Sequence, residues 1–421
     1  MKPEENLATH SAAPRVERLP QIDGLRGFAI SLVLLTHTWV FFGAPALAVK
    51  VAGHSMVLAA VPALGHVGVN LFLVISGFSL AWPFMRDPQG RDRSSLVKFF
   101  RRRAQRILPP YYASILVIYL LGLSFDLFFR PGAAAADFPH RPNLTALEAP
   151  ANIWPHLFLI HNFWPQHVST INGSYWSLAL EWQLYILFPL FLVAFHRWGI
   201  WKLILAILIA QLVYRLSLEY LLSPRVLAEY EFVLPKAVPG RMFEFVLGMG
   251  MAKWVANGFS RTGNSSPGPR ILTLGAACFL AFAAVAATTQ CLPLSVIDVL
   301  WAAGFAGLVG GASLHNGWVS RIFSGRWLAG LGIASYSVYL LHQPLIERAG
   351  FLTLTYCRPG TAFFVGLALL PLVVGLCLLF YFAVERPCLK RIRKGRPERG
   401  AADGQPMWMP EAPSTAISST P

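Results

Sequence analysis

Charge is what this sequence has least of. Asp, Glu, Lys and Arg together make 13% of the 421 residues, while hydrophobic residues make 55%. A soluble domain carries about 25% charged residues, and folding cannot hide this much apolar surface from water. The mean hydropathy of +0.52 agrees. A cytoplasmic enzyme, a secreted disulfide scaffold and a disordered regulator are thereby excluded, and the solvent for most of the chain is a lipid bilayer. Cysteine is scarce too. There are five, Cys278, Cys291, Cys357, Cys377 and Cys388, with no CxxC pair and an odd count, so they read as small apolar fillers. The 11 histidines show no metal-ligand spacing, and no metal is expected. The first 20 residues lack the apolar run of a cleaved signal peptide, so the first span is expected to be an internal anchor. Acidic residues number 20 against 35 Lys and Arg, a net +15. In a soluble chain that excess would point to nucleic acid. Here its distribution points to membrane topology, and no nucleic-acid partner is expected.

What the sequence has in quantity is long apolar runs. A spanning helix needs about 20 such residues, and ten stretches qualify: 25–43, 67–85, 110–129, 175–195, 199–222, 238–256, 271–289, 295–314, 328–347 and 361–384. With the N-terminus inside, 26 of the 35 Lys and Arg fall on the cytoplasmic side and seven on the other, the asymmetry that sets orientation. The expectation is an all-α polytopic helix bundle of about ten transmembrane helices with both termini cytoplasmic, in a bacterial inner membrane. Its parts are an N-terminal tail (1–20), a membrane domain (21–388) and a polar, disordered tail (389–421). The apolar segment 151–164 is too short to span and carries Pro155, His156 and His161, so it reads as an interfacial or re-entrant piece of the long outer loop 130–174.

Ionisable groups inside spans are costly and face a bundle interior or a watery cavity. Arg26 and His37 lie eleven positions apart on the first span. That separation is about 20° off three whole turns and about 16 Å of rise, so both point the same way, Arg26 at the inner edge and His37 near the midplane. Glu181 lies inside the fourth span, where a carboxylate must be paired or protonated. Arg241 and Glu244 share one face of the sixth, as a local ion pair or as part of a site. His342 ends the ninth, with Tyr336 and Tyr339 before it, which read more readily as an interfacial aromatic belt than as chemistry. Asp298 is expected to be solvated at a span start, and Glu385 with Arg386 to form an end-cap pair. The cytoplasmic segment 86–108 clusters Lys98, Arg101, Arg102, Arg103 and Arg106, either a headgroup anchor or a polyphosphate site. A phosphate-rich ligand held there could reach His37 along the first helix, while a hydroxyl compound approaches from outside, where Glu181, Arg241 and His342 are expected to converge. Imidazole suits proton abstraction from a hydroxyl. The rival reading is a proton-coupled transporter of a small solute. Neither paired repeats nor broken midplane helices support it.

The segments IDGLRGFAISLVLLTH, GVNLFLVISGF, FFRRRAQRILPPYY, YWSLALEWQLYILFP, GRMFEFVLGMGMA, LAGLGIASYSVYLLHQPL and FAVERP, in this order, resemble the acyltransferase-3 family of integral membrane O-acyltransferases. The resemblance implies an acyl-CoA donor, usually acetyl-CoA, on the cytoplasmic side and a hydroxyl acceptor on a surface glycan or lipid-linked saccharide. It implies that Arg26, Arg101 and Arg103 bind the donor, that His37 is catalytic, and that Glu181 belongs to the catalytic centre. Arg241, Glu244, His342 and Tyr339 are left as candidates for binding the acceptor. Trp154, Trp164 and Trp176 could stack on a sugar.

Overall fold

The protein is described by a computed structural model over residues 19–45, 48–51, 54–57, 64–86, 96–128, 152–259, 268–314 and 317–394. The N-terminal tail before residue 19, the outer loop from 129 to 151 and the tail beyond 394 lie outside the described residues. The architecture is an all-α polytopic bundle. Its helices are α1 (Pro20–Phe41), α2 (Gly68–Arg86, led in by the turn Leu64–Val67), α3 (Leu96–Phe128), α4 (Tyr175–Trp198), α5 (Ile200–Leu221), α6 (Pro224–Tyr230) and α7 (Val238–Phe259). There follow α8 (Gly268–Thr289), α9 (Leu294–Leu314), α10 (Trp318–Phe323), α11 (Arg326–Ile333), α12 (Ser335–Tyr356), α13 (Pro359–Phe380) and α14 (Arg386–Lys394), with a π turn at Tyr381–Glu385 before the last. A small antiparallel hairpin, β1 (Ala48–Val51) with β2 (His54–Val57), pairs Ala48 with Val57.

Eight helices among the described residues are long and apolar enough to cross a bilayer. Of the ten expected spans, 238–256 and 328–347 fall short on hydropathy, because α7 carries Arg241, Glu244 and Lys253, and α12 carries His342, Gln343, Glu347 and Arg348. The second of these is also not one helix: the chain breaks at Ala334 between α11 and α12. A converse difference occurs at Pro109–Pro110, which the sequence marks as a boundary but which sit inside the single 33-residue helix α3. Two prolines remove intrahelical donors. The helix is held from outside instead, by the Tyr336 hydroxyl on the Ile107 carbonyl at 2.8 Å and the Tyr111 hydroxyl on the His156 carbonyl at 3.0 Å.

Helix α1 is the hub. Pro20 opens it at a position that needs no donor, and it packs against α2, α10, α11, α12 and α13. The glycines of its DGLRG segment make this possible. A Cβ on Gly24 would lie 1.6 Å from the Phe323 carbonyl oxygen, and one on Gly27 would lie 2.1 Å from that of Leu328. Backbone therefore meets backbone, the usual means of close helix packing in lipid. The α2–α7 contact uses the same device: a Cβ on Gly77 would lie 1.8 Å from the Phe245 carbonyl oxygen. Gly77→Val should therefore separate α2 from α7, with a loss of about 1–3 kcal/mol or more, read as a lowered melting temperature in detergent. Gly275→Ala in α8, where a Cβ meets nothing within 4 Å, should be neutral or slightly stabilising. Equal melting of both variants would refute the packing role.

Candidate active site

The two intramembrane histidines that the sequence treated separately meet. His37 of α1 and His342 of α12 stand edge to face, their ring centroids 4.9 Å apart. His37 Nδ1 lies 2.9 Å from the Val33 carbonyl, and His342 Nδ1 lies 3.1 and 2.9 Å from the Val338 and Tyr339 carbonyls. A carbonyl oxygen only accepts, so each Nδ1 carries the proton and each Nε2 presents a lone pair. The two differ in access. His342 is fully buried, and its Nε2 faces the Ser174 hydroxyl at 3.5 Å. His37 is half-buried. Its Nε2 makes no hydrogen bond among the described residues, the ring's bond being from Nδ1.

The segment before α4 braces this pair. Ser174 stands at the N-cap of α4, yet its hydroxyl caps nothing there. It donates instead to Gln343 Oε1, the neighbour of His342. Asn172 accepts the Ser174 N–H at 2.9 Å and donates to the Leu340 carbonyl at 2.9 Å. Ile171, a β-branched residue, is held at φ 61°, a costly conformation that persists only where the surroundings enforce it. Tyr339 donates to the Ser174 carbonyl at 2.8 Å and lies 2.5 Å from the Ser177 hydroxyl. Tyr336 and Tyr339 are thus internal braces, contrary to the expected aromatic belt. Sequence reasoning missed Ser174 and Gln343, although an N-cap serine followed by a helix was visible.

About three turns away along the same face of α1 lies a cationic cluster. Arg26 reaches the Ser79 hydroxyl of α2 at 2.9 Å and Asp23 at 3.4 Å. Arg103 of α3 sits over the Tyr185 and Phe99 rings, 5.6 and 5.8 Å from their centroids. Arg26 and Arg103 lie in each other's field and in those of Arg106 and Glu181. Glu181 accepts from Ser76 and from Tyr185 and touches no histidine among the described residues. Arg101, expected to bind the donor with Arg103, is exposed, as is Arg106, but Arg106 is the one whose charge acts on Arg26 and Arg103. Arg106 takes that place, since three residues nearly complete a helical turn and two do not. The result is three guanidinium groups with two carboxylates, Asp23 and Glu181, a net positive charge suited to phosphate oxygens.

Arg241 and Glu244 belong to a third group. Arg241 is 3.1 Å from Glu244 and 3.1 Å from Asp298, and Asp298 also takes Arg215 at 2.8 Å. Gln211 donates to Glu244 at 3.2 Å, and Glu219 accepts the N–H of Ser295 at 2.9 Å. Asp298 is thus a half-buried bridge between two arginines and not a solvated carboxylate. The expected convergence of Glu181, Arg241 and His342 on one spot is not what the structure brings together. Each lies in a different cluster, although Glu181 and Tyr339 feel one another's charge. Glu385 does not pair with Arg386. It accepts from the N–H of Ser337 at 3.1 Å and from its hydroxyl, and so satisfies the start of α12. In the segment before α4, His156 and His161 stack at 4.0 Å, and burial pushes His156 down to about 4.

Comparison with known proteins gives a consistent result. The model of the acyltransferase-3 family, described as "Acyltransferase domain", matches residues 19–382. The chain is 29% identical over 416 residues to "Acyltransferase MdmB" of Streptomyces mycarofaciens, covering 93% of this chain and 96% of that one. It is 27% identical over 356 residues to "Peptidoglycan O-acetyltransferase OatA" of Listeria monocytogenes, covering 78% of this chain and 49% of that one. It is 26% identical over 208 residues to "O-acetyltransferase OatA" of Staphylococcus aureus, covering 46% and 28%. The chain therefore spans nearly all of the first relative and about half or less of the other two. No solved structure matches.

Proposed function

Because the chain belongs to the acyltransferase-3 family and is a multi-pass membrane O-acyltransferase, we propose that it moves an acyl group, most simply acetyl, from cytoplasmic acyl-CoA to a hydroxyl of a surface glycan or lipid-linked saccharide. The observation that carries this reading is His37 itself: a half-buried imidazole whose tautomer leaves Nε2 basic, on the same helix as Arg26 and the guanidinium cluster around it. The bilayer is the inner membrane and both chain termini are cytoplasmic, in keeping with the lysine and arginine distribution. Arg26, Arg103 and Arg106 hold the donor's phosphates, with Glu181 ordering them through Ser76 and Tyr185. The acyl thioester then extends along α1 toward His37.

In the transfer, His37 Nε2 takes the proton of the acceptor hydroxyl while its oxygen attacks the thioester carbonyl. The C–O bond forms, the C–S bond breaks, and the coenzyme thiolate leaves and recovers the proton from the imidazolium. Transient acylation of His37 itself is the variant of this scheme that the same geometry supports. His342 backs His37 and fixes its orientation, and Tyr339 keeps the serine-bearing segment against them. Arg241 and Glu244, locked into carboxylate bridges, form the framework of the acceptor's approach. Membership of an acyltransferase family removes the ground for the transporter reading.

The donor assignment is tested with Arg103→Leu and a matched pair of ligands, acetyl-CoA and its analogue without the 3′-phosphate. A charge-assisted contact contributes about 1.5–3 kcal/mol, so the variant should bind acetyl-CoA roughly 10- to 100-fold more weakly. The analogue should lose less from the same substitution. Unchanged acetyl-CoA affinity in Arg103→Leu would refute the assignment.

A further inference from the structure

The turn between α6 and α7 carries a cation that the acyl-transfer scheme does not use. Lys236 is half-buried, and among the described residues its ammonium has no carboxylate partner and no hydrogen-bond acceptor. It sits instead on two rings, 3.6 Å from the Phe232 centroid and 5.0 Å from that of Trp176. Its neighbours differ sharply in this respect, since Arg215 and Arg241 are both bridged by Asp298. The turn itself is rigidly placed. Tyr214 donates to the Leu234 carbonyl at 3.0 Å, and Arg215 donates to that of Pro235 at 3.3 Å. Beside it, Arg241 Nε is buried without a partner. A desolvated ammonium with aromatic walls and fixed backbone is a preformed seat for an anion.

The position of this seat gives it meaning. Trp176 lies on the first turn of α4, between Ser174, which faces His342, and Ser177, which bonds Tyr339. A saccharide stacked on Trp176 would extend from Lys236 toward the histidine pair. We infer that Lys236, seated on Phe232 and Trp176, recognises an oxyanion, a carboxylate or phosphate, carried by the acceptor saccharide. This rests on the acyl-transfer reading for the word acceptor, while the anion seat stands on its own geometry.

The groups that face Lys236 are Glu231 on its own turn, Arg215 of α5, Arg241 of α7 and Asp298 of α9. Burial, with Arg241 next, pushes its ammonium down to about 7. Anion binding needs the protonated form, so affinity should be full below pH 7 and fall as the pH rises through that value.

The test is calorimetric titration of the full-length chain in detergent micelles with glucuronate, glucose 6-phosphate and glucose, at pH 6 and pH 8.5. Selective binding of either charged sugar over glucose at pH 6, weakened several-fold at pH 8.5, retained in Lys236→Arg and lost in Lys236→Met, supports the seat. Charged sugars binding no better than glucose to the unmodified chain, or as well to Lys236→Met, would overturn it. Acyl transfer from acetyl-CoA is measured separately. Charged-sugar binding without transfer would sink the enzymatic reading and leave the anion seat intact.

Discussion

His37→Ala should reduce acyl transfer by about 10²–10⁴-fold, the contribution of a positioned general base, in a protein that still inserts and folds. The second half of the expectation is as important as the first. His37 is half-buried, and its Nδ1 contact is to a carbonyl of its own helix, Val33. Its removal therefore leaves no buried group stranded, and α1 keeps the glycine-mediated contacts with α10 and α11 that hold it. His342→Ala offers the contrast. That ring is fully buried behind His37, so its loss leaves a cavity as well as a misplaced base and should lower both stability and rate. Initial rates of labelled acetyl transfer, with helicity and melting measured on the same preparations, separate the two. Unreduced transfer in His37→Ala would end the case for a histidine base.

Asp298→Ala should be the most destabilising single change in the ionic framework. Its carboxylate joins Arg215 at 2.8 Å and Arg241 at 3.1 Å, and Asn70 approaches it at 3.4 Å. Removing one partner of a buried pair costs about 3–5 kcal/mol when the remaining charge is left uncompensated; here Arg241 keeps Glu244 at 3.1 Å and Arg215 keeps Glu219 at 3.8 Å, so the loss should fall toward the lower end of that range. The measurement is resistance to thermal or detergent unfolding. Combining Asp298→Ala with Arg215→Leu should recover part of the loss, since that guanidinium goes with the carboxylate while Arg241 keeps Glu244. A melting temperature equal to that of the unsubstituted chain would show that the bridge is dispensable.

The two substitutions differ in how far their basis was visible beforehand. The shared face of Arg26 and His37 follows from helical spacing alone, as does the pairing of Arg241 with Glu244 three residues on. Asp298 was misread as solvated because its position at the start of an apolar run is compatible with water. Only the arrival of Arg215 from α5 and Arg241 from α7 makes it a bridge. Arg103 could be told from Arg101 only once the direction of α3 toward Tyr185 was known, and a continuous helical face then selects Arg106 in place of Arg101. The continuity of α3 through Pro109–Pro110 was hidden for the same reason, because the hydroxyl of Tyr336 comes from a distant helix.

The sequence by itself determined the solvent of this protein, its helical character, and which polar groups must lie in a membrane, because apolar run length and the cost of buried charge are local properties. Its ordered motifs carried the family. The tertiary structure alone decided that His37 meets His342, that Ser174 leaves its own helix to bond Gln343, and that Lys236 rests on the rings of Phe232 and Trp176. Those are contacts between segments far apart in the chain. Their geometry is set by how closely helices approach, at Gly24, Gly27 and Gly77 above all, and close approach is a property of pairs of helices that no single stretch of sequence contains.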